Sequence, residues 1–433
     1  MASSDAPPPI VGVGRGRARG ASPFAEVVPT LRFAAVYAVA IGVWLAVGEA
    51  LPGGRWLAVH LFTLGVLTNV ILAFSEHFTR TITRSPGRRS GWWTWVTNLG
   101  IVLVLVGLPT RWVPGLALGA TIVIGVVAAA WWRLRRLRRR AVGARLGWVA
   151  RRYEDAHLFF LAGATLGTLL GLGWSAGAWS AGVRVAHLHA NVLGWGVLTL
   201  LATLVFFGPT MARCQIEPGA DRAAARALRV GAVALAVALA LLLALGLPGA
   251  AGSAARVGAG IALAGFALSA TVVTAPVWRA VWQARVTAAR PLILGAVAWL
   301  TAVVWADAAL VGFGGWRWLD AVGLVAMAGV LAPAILATVV YLLPMLRGRT
   351  TGERELLRLR LEVGARTRAI GLNLGVLLVG VGTALRAATE PGVGTWPVAG
   401  SGWVVIAGVI ATTVVVGLWS MGRPDPDVAA AAR

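Results

Sequence analysis

Residues 101–140 read IVLVLVGLPT RWVPGLALGA TIVIGVVAAA WWRLRRLRRR, and their pattern decides the fold. An apolar run meets a short turn holding Arg111, a second apolar run follows, and the stretch ends in arginines. A helix needs about 20 mostly apolar residues to cross a bilayer. Open sheets leave backbone groups unpaired in lipid, and barrel strands would alternate in polarity, so two helices joined by a turn are the reading. The rest of the chain repeats this pattern. Twelve apolar stretches lie at roughly 31–51, 56–78, 92–109, 112–132, 156–175, 184–208, 229–248, 255–278, 291–313, 318–345, 369–388 and 400–420. The sequence therefore predicts an all-α integral membrane protein, a bundle of about twelve transmembrane helices. Composition agrees: of 433 residues 58% are hydrophobic and 13% charged, with a mean hydropathy of +0.79. A soluble domain is about 25% charged, so a soluble enzyme is excluded. The single cysteine, Cys214, excludes a disulfide scaffold.

The arginines predict the orientation. With the N-terminus inside, 33 of them fall on inner segments and six on outer turns: Arg55, Arg111, Arg184, Arg256, Arg317 and Arg386. Such a bias is the positive-inside pattern of a bacterial plasma-membrane protein with cytoplasmic N- and C-termini. The formal charge of +23 would suggest nucleic acid in a soluble protein. Here the charge sits in short runs between apolar stretches, so anionic headgroups on the cytoplasmic face are the expected partner and nucleic acid is not. Residues 1–30 read as a disordered Arg-rich tail, 31–420 as one transmembrane domain and 421–433 as a short tail. The arginine-rich linkers 133–155 and 346–368 are expected to form amphipathic helices on the membrane surface. No internal repeat is evident.

All five histidines fall in or at the ends of predicted helices, where ionisable groups are functional candidates. Imidazole is also a common ligand of metals and haem iron. The topology sorts them into an outer group, His60, His187 and His189, and an inner group, His77 and His157, beside Glu76, Glu154 and Asp155. Two residues span about 200° on a helix, so His187 and His189 point to different places unless the helix is unwound there. Asn191 and Gly194 share the His187 face and Gly196 the His189 face; a glycine would let a flat cofactor approach the backbone. Arg55 and Arg184 precede His60 and His187 closely enough to pair with haem propionates, although every outer turn carries an arginine. Three outer imidazoles would suit zinc or copper with an open position, or the histidines may be read simply as interfacial polar residues. The inner group reads as a proton entry point, a metal site or a solvated rim. Asp307, in the ninth stretch, is a candidate proton or cation site near the outer histidines, or a hydrogen-bond partner of a neighbouring helix. Asn69, Asn98 and Asn373 are expected to join helices.

Two segments carry a family resemblance: HLFTLGVLTNVILAFSEHF, His60 to Phe78, and AHLHANVLGWGVLTLLAT, Ala186 to Thr203. Tyr341-Leu342-Leu343-Pro344 adds a weaker match. Together they resemble the membrane region of actinobacterial copper oxidase fusion proteins. More distantly the chain resembles the haem-copper oxidase subunit I superfamily, including NnrS-type haem and copper proteins. The resemblance implies a haem- or copper-binding membrane core with His60, His187 and His189 as ligands. The seventh stretch, RVGAVALAVALALLLALGLPG, holds no histidine, and neither does the tenth, so the ligand set of a terminal oxidase is incomplete. The fused cupredoxin domain is absent too. What the resemblance implies is a reduced relative that binds b-type haem, copper or both and handles electrons, small gases (nitric oxide or oxygen) or copper. If it is an enzyme, it is an oxidoreductase, served by a separate cupredoxin or cytochrome c. No CxxCH motif is present, so any haem is held non-covalently. Two other functions fit the pattern: a twelve-span secondary transporter, for which SPGRRSG at Ser85 to Gly91 is a loose signature, and an assembly partner of a respiratory or copper enzyme.

Overall fold

The computed structural model describes residues 24–48, 51–85, 91–140, 145–175, 177–348, 350–389 and 396–420. Residues 1–23, all of the predicted tail 421–433 and most of Ser85–Gly91 lie outside the described residues; the end of the predicted disordered tail 1–30 is helical instead, Ala25–Val27 leading into the helix that starts at Val28. Among the described residues there is no strand. In chain order the helices are α1 Val28–Val47, α2 Gly54–Thr83, α3 Trp92–Gly107, α4 Val113–Arg140, α5 Gly147–Gly171, α6 Trp179–Ala212, α7 Ala220–Gly246, α8 Gly249–Gln283, α9 Ala289–Phe313, α10 Trp316–Arg347, α11 Thr351–Glu362, α12 Ala365–Ala388 and α13 Pro397–Gly417. Among the described residues each of the twelve apolar stretches coincides with a helix. Ten of these helices are long and apolar enough to cross a membrane. The other two are α3, with 16 residues, and α5, with 25 residues but Arg151, Arg152, Glu154 and Asp155 in its first turns.

The linker 133–155 does not form a separate amphipathic helix. Its first part continues α4 to Arg140 and its last part begins α5 at Gly147, because nothing between Trp131 and Arg140 breaks a helix. The linker 346–368 does contain one, α11. It opens with a capping box in which the Thr350 hydroxyl accepts from the Glu353 amide and the Glu353 carboxylate accepts from the Thr350 amide.

Arginine-rich segments gather at one end of the bundle. Arg145 bonds Asp221 at 3.0 Å, Arg279 bonds Glu217 at 3.0 Å and Arg213 bonds Glu355 at 3.3 Å. These pairs tie the segment before α5 to the start of α7, and the turn between α6 and α7 to the end of α8 and to α11. At the other end Arg55 pairs with Asp320, and Arg256 donates to the Gly312 carbonyl at 2.7 Å.

The structure reveals a repetition that the sequence conceals. Three helices contain a π-helical stretch: Leu61–Leu67 in α2, Ala190–Val197 in α6 and Ala326–Leu331 in α10. In each, a glycine receives an aromatic ring from the preceding helix. A Cβ on Gly65 would lie 2.4 Å from Tyr37, one on Gly194 2.4 Å from Phe159, and one on Gly329 3.0 Å from Trp299. Each of these central helices is followed by a closely packed pair, α3 with α4, α7 with α8, and α12 with α13. Close packing needs small residues: a Cβ on Gly119 would meet the Gly100 carbonyl at 2.8 Å, and one on Gly402 the Gly375 carbonyl at 2.7 Å. The bundle is thus three four-helix units, α11 aside. α6 is the best buried, with 78% of its apolar window inside, against 17% for α1. The central helices meet where Gly196 touches Leu331 and Leu67, a Cβ there lying 3.1 and 3.4 Å from their methyl groups.

Candidate functional site

Registering the three central helices on Gly65, Gly194 and Gly329 makes Arg55, Arg184 and Leu319 equivalent, and likewise Thr63, Val192 and Met327. All six line one cavity of about 1450 Å³. It opens at the arginine-poor end, ends above the Leu67–Gly196–Leu331 contact, and has a side lobe walled by α3, α4 and α5.

His60 and His187 face each other across this cavity. Their rings are 6.4 Å apart between centroids and within 14° of parallel. His60 Nδ1 lies 2.8 Å from the Trp56 carbonyl, one turn back on α2, and Trp56 stacks on the ring at 4.1 Å. His187 Nδ1 lies 2.7 Å from the Gly163 carbonyl on α5. A carbonyl only accepts, so each Nδ1 carries the proton and each Nε2 keeps its lone pair. Gly167 makes room for the His187 ring, since a Cβ there would lie 2.5 Å from its Cε1. Asn191 Nδ2 donates to the His187 carbonyl at 2.8 Å and lies on the cavity wall.

His189 does not join them. Residues Ala178–His189 form regular α-helix, so two residues carry the side chain to the far side. There its Nε2 sits 3.1 Å from both Asp307 carboxylate oxygens, and its Nδ1 2.8 Å from the Val185 carbonyl. Both ring nitrogens are engaged and the pair is buried. Asp307, expected to be paired or to lie near the outer histidines, is hydrogen-bonded to one of them. A centre of three outer imidazoles is not formed: among the described residues no group of three or more His, Cys, Asp or Glu is placed to hold a metal ion. Gly194 does not approach the cavity either, because its open side is filled by Phe159, and Gly196 packs on Leu331 and Leu67.

Arg55 and Arg184 both line the cavity mouth. Arg55 is held by Asp320 of α10, and Arg256, which the sequence did not single out, joins them there. At the arginine-rich end the inner group separates into two sets of ion pairs. Glu76 is bonded by Arg80 at 2.7 Å and Arg133 at 2.9 Å, and His77 by Glu26 at 2.8 Å. Asp155 is bonded by Arg152 at 3.0 Å, and Glu154 by Arg138. His157 places Nδ1 2.7 Å from the Tyr153 carbonyl and meets the Trp195 ring edge-on at 4.8 Å. These acids are matched by arginines rather than gathered around a metal. The asparagines join helices as expected: Asn69 and Asn98 exchange bonds at 3.0 Å, and Asn373 accepts from Trp299 at 2.8 Å.

Sequence reasoning missed Trp56, Gly163 and Gly167. The i to i+4 spacings Trp56/His60 and Gly163/Gly167 were the signals available. No protein-family model and no curated protein matches this chain.

With about 2 Å from metal to each imidazole nitrogen and about 1 Å more to the ring centre, a metal clasped between two imidazoles separates their centroids by roughly 6 Å. The 6.4 Å between the His60 and His187 centroids matches that spacing. The cavity as a whole is large and lined mostly by apolar residues, with Arg55, Arg184 and Arg256 on its wall. The residues present therefore fit a haem held by two histidines better than a copper or zinc centre with three.

Proposed function

We propose that this chain is a twelve-helix plasma-membrane protein with both termini cytoplasmic, which holds a b-type haem non-covalently between His60 and His187 and passes electrons. The facing imidazoles, each with Nδ1 tied to a carbonyl, carry this reading. It also fits the sequence resemblance to oxidase-like haem and copper proteins. When bound, haem supplies one-electron chemistry. Trp56 and Gly163 hold the rings in place, Gly167 admits the His187 ring, and Arg55 and Arg184 offer charge to the propionates. If both His60 and His187 held the haem, the protein would supply both of its histidine ligands, and electron transfer is the reading we favour over gas binding. The cavity mouth lies at the arginine-poor end. By the positive-inside rule this is the outer side, where a cupredoxin or c-type cytochrome would dock. The cytoplasmic end, with Arg133 to Arg140 and α11, lies against anionic headgroups.

The test is the absorption spectrum, haem content and metal content of purified wild type beside His60→Ala, His187→Ala and His189→Ala. A b-type Soret band should appear in wild type and be lost or displaced in the first two variants. In His189→Ala it should persist. A colourless, metal-free protein from haem-replete cells would leave the transporter or assembly role in its place.

A further inference from the structure

Below the cavity floor a polar seam runs between α5 and α6 toward the arginine-rich end. Trp195 forms part of the floor. Its ring is 1% exposed, yet its indole N–H has no partner among the described residues. One turn further along α6 the buried Thr199 hydroxyl is likewise without one. Another turn on, the Thr203 hydroxyl donates to the Thr199 carbonyl at 2.8 Å and meets the Tyr153 hydroxyl at 2.9 Å. His157, one turn from Tyr153 on α5, bonds the Tyr153 carbonyl and faces Trp195. Tyr153 is 1% exposed and adjoins Glu154 and Asp155, where Arg138, Arg151 and Arg152 bring the seam to the bundle end. On α2, which packs on α5, the Ser75 and Thr79 hydroxyls are 1% and 0% exposed by residue and also lack partners. They lie level with this seam, since Phe78 touches Phe206 and Phe207.

A buried donor or hydroxyl left without a partner is destabilising. Several in one column are best satisfied by internal water, which binds such groups at two to four hydrogen bonds each. Water between hydroxyls and an imidazole is also a medium for proton exchange.

We infer that the seam Trp195–Thr199–Thr203–Tyr153–His157 holds a file of water that conducts protons between the arginine-rich end of the bundle and the cavity floor. Protons hop between neighbouring oxygens and nitrogens with no net change in any residue. The inference does not depend on what the cavity holds. It runs off the bundle axis, which Leu67, Gly196 and Leu331 close.

The full-length protein in lipid discs would be pulsed with hydroxyl radicals generated from bound water. Trp195 and Tyr153 should be oxidised despite their burial, with Phe266, equally buried, as the dry reference. In vesicles with an entrapped pH dye and an imposed potential, wild type should pass protons at least tenfold faster than protein-free vesicles. Thr199→Val and Tyr153→Phe should each abolish most of that excess, while Thr413→Val, a buried threonine outside the seam, should not. Labelling of Trp195 and Tyr153 no greater than that of Phe266, or a proton flux equal to protein-free vesicles, would overturn the inference. If the variants fail to fold, the wild-type labelling and flux still decide it. A colourless protein that passes both tests would sink the haem reading and leave the seam standing.

Discussion

Gly65, Gly194 and Gly329 each sit against an aromatic ring, and Gly65 is the tightest case together with Gly194. A methyl on Gly65 would lie 2.4 Å from Tyr37 Cγ and 2.8 Å from its Cβ, the stiff root of that side chain. Gly65→Ala should therefore lower stability by about 1–3 kcal/mol through overpacking. Gly42→Ala, where a Cβ meets nothing within 4 Å, should leave the melting temperature unchanged or raise it, because alanine favours helix. Thermal denaturation in one detergent checks both. The His189–Asp307 pair gives a second prediction at this scale. Removing one partner of a buried hydrogen-bonded pair leaves the other unsatisfied, at about 1–3 kcal/mol, so Asp307→Ala should be destabilised and His189→Leu with Asp307→Leu together much less so. The positions of the histidines were legible in the sequence, as was the divergence of His187 from His189. Which of the two faces His60 was not, because that depends on the Gly163 carbonyl and on Asp307, both distant in sequence. Gly194 was misread for the same reason: an absent side chain gives no hint of what fills its place.

The all-helical, multi-span character was legible because long apolar stretches in a membrane protein leave one solution. The π-helical stretches were not, since LFTLGVL and ANVLGWGV differ in no compositional way from their surroundings. Helix α11 was legible through its arginines, whereas its Thr350–Glu353 capping box came only from the structure. Thr350→Ala should loosen it by about 1 kcal/mol through loss of the cap, seen as faster amide exchange over residues 351–354. The element also responds to pH. Hydrogen bonding from Arg358, with help from Arg213, pushes the Glu355 carboxyl down to about 2. A carboxyl lowered on folding contributes its stabilisation above its ordinary value near 4.5 and loses it as pH falls toward 2. Glu355 is largely exposed, so the effect is local. Amide exchange in α11 should quicken between pH 4.5 and 2 in wild type, and Glu355→Gln should show the faster rate already at pH 7.

At the scale of the molecule the expected topology is open to a direct check. In a Cys214→Ser background, Trp174→Cys, in the turn between α5 and α6, should react with a membrane-impermeant thiol reagent on intact cells. Glu217→Cys, in the segment joined to Arg279, should react only after permeabilisation. The opposite pattern would invert the bundle and place the cavity mouth in the cytoplasm. The threefold construction was hidden because packing positions repeat while residue identities do not: Tyr37, Phe159 and Trp299 share a role and little else. His60 and His189 occupy the same rung of their helices, where the third unit has Leu324. The two imidazoles across the cavity are therefore not symmetry mates, since His187 is offset by two residues from that rung. The interlocked methyl groups of Leu67 and Leu331 over Gly196 bear on how such a molecule operates. A carrier that ferries solute must open its midline alternately to one side and the other, and here two leucine side chains close the midline over Gly196. In this conformation anything passing from the cavity to the arginine-rich end has to go around that closure, which under the proposed reading is an electron by tunnelling or a proton by relay.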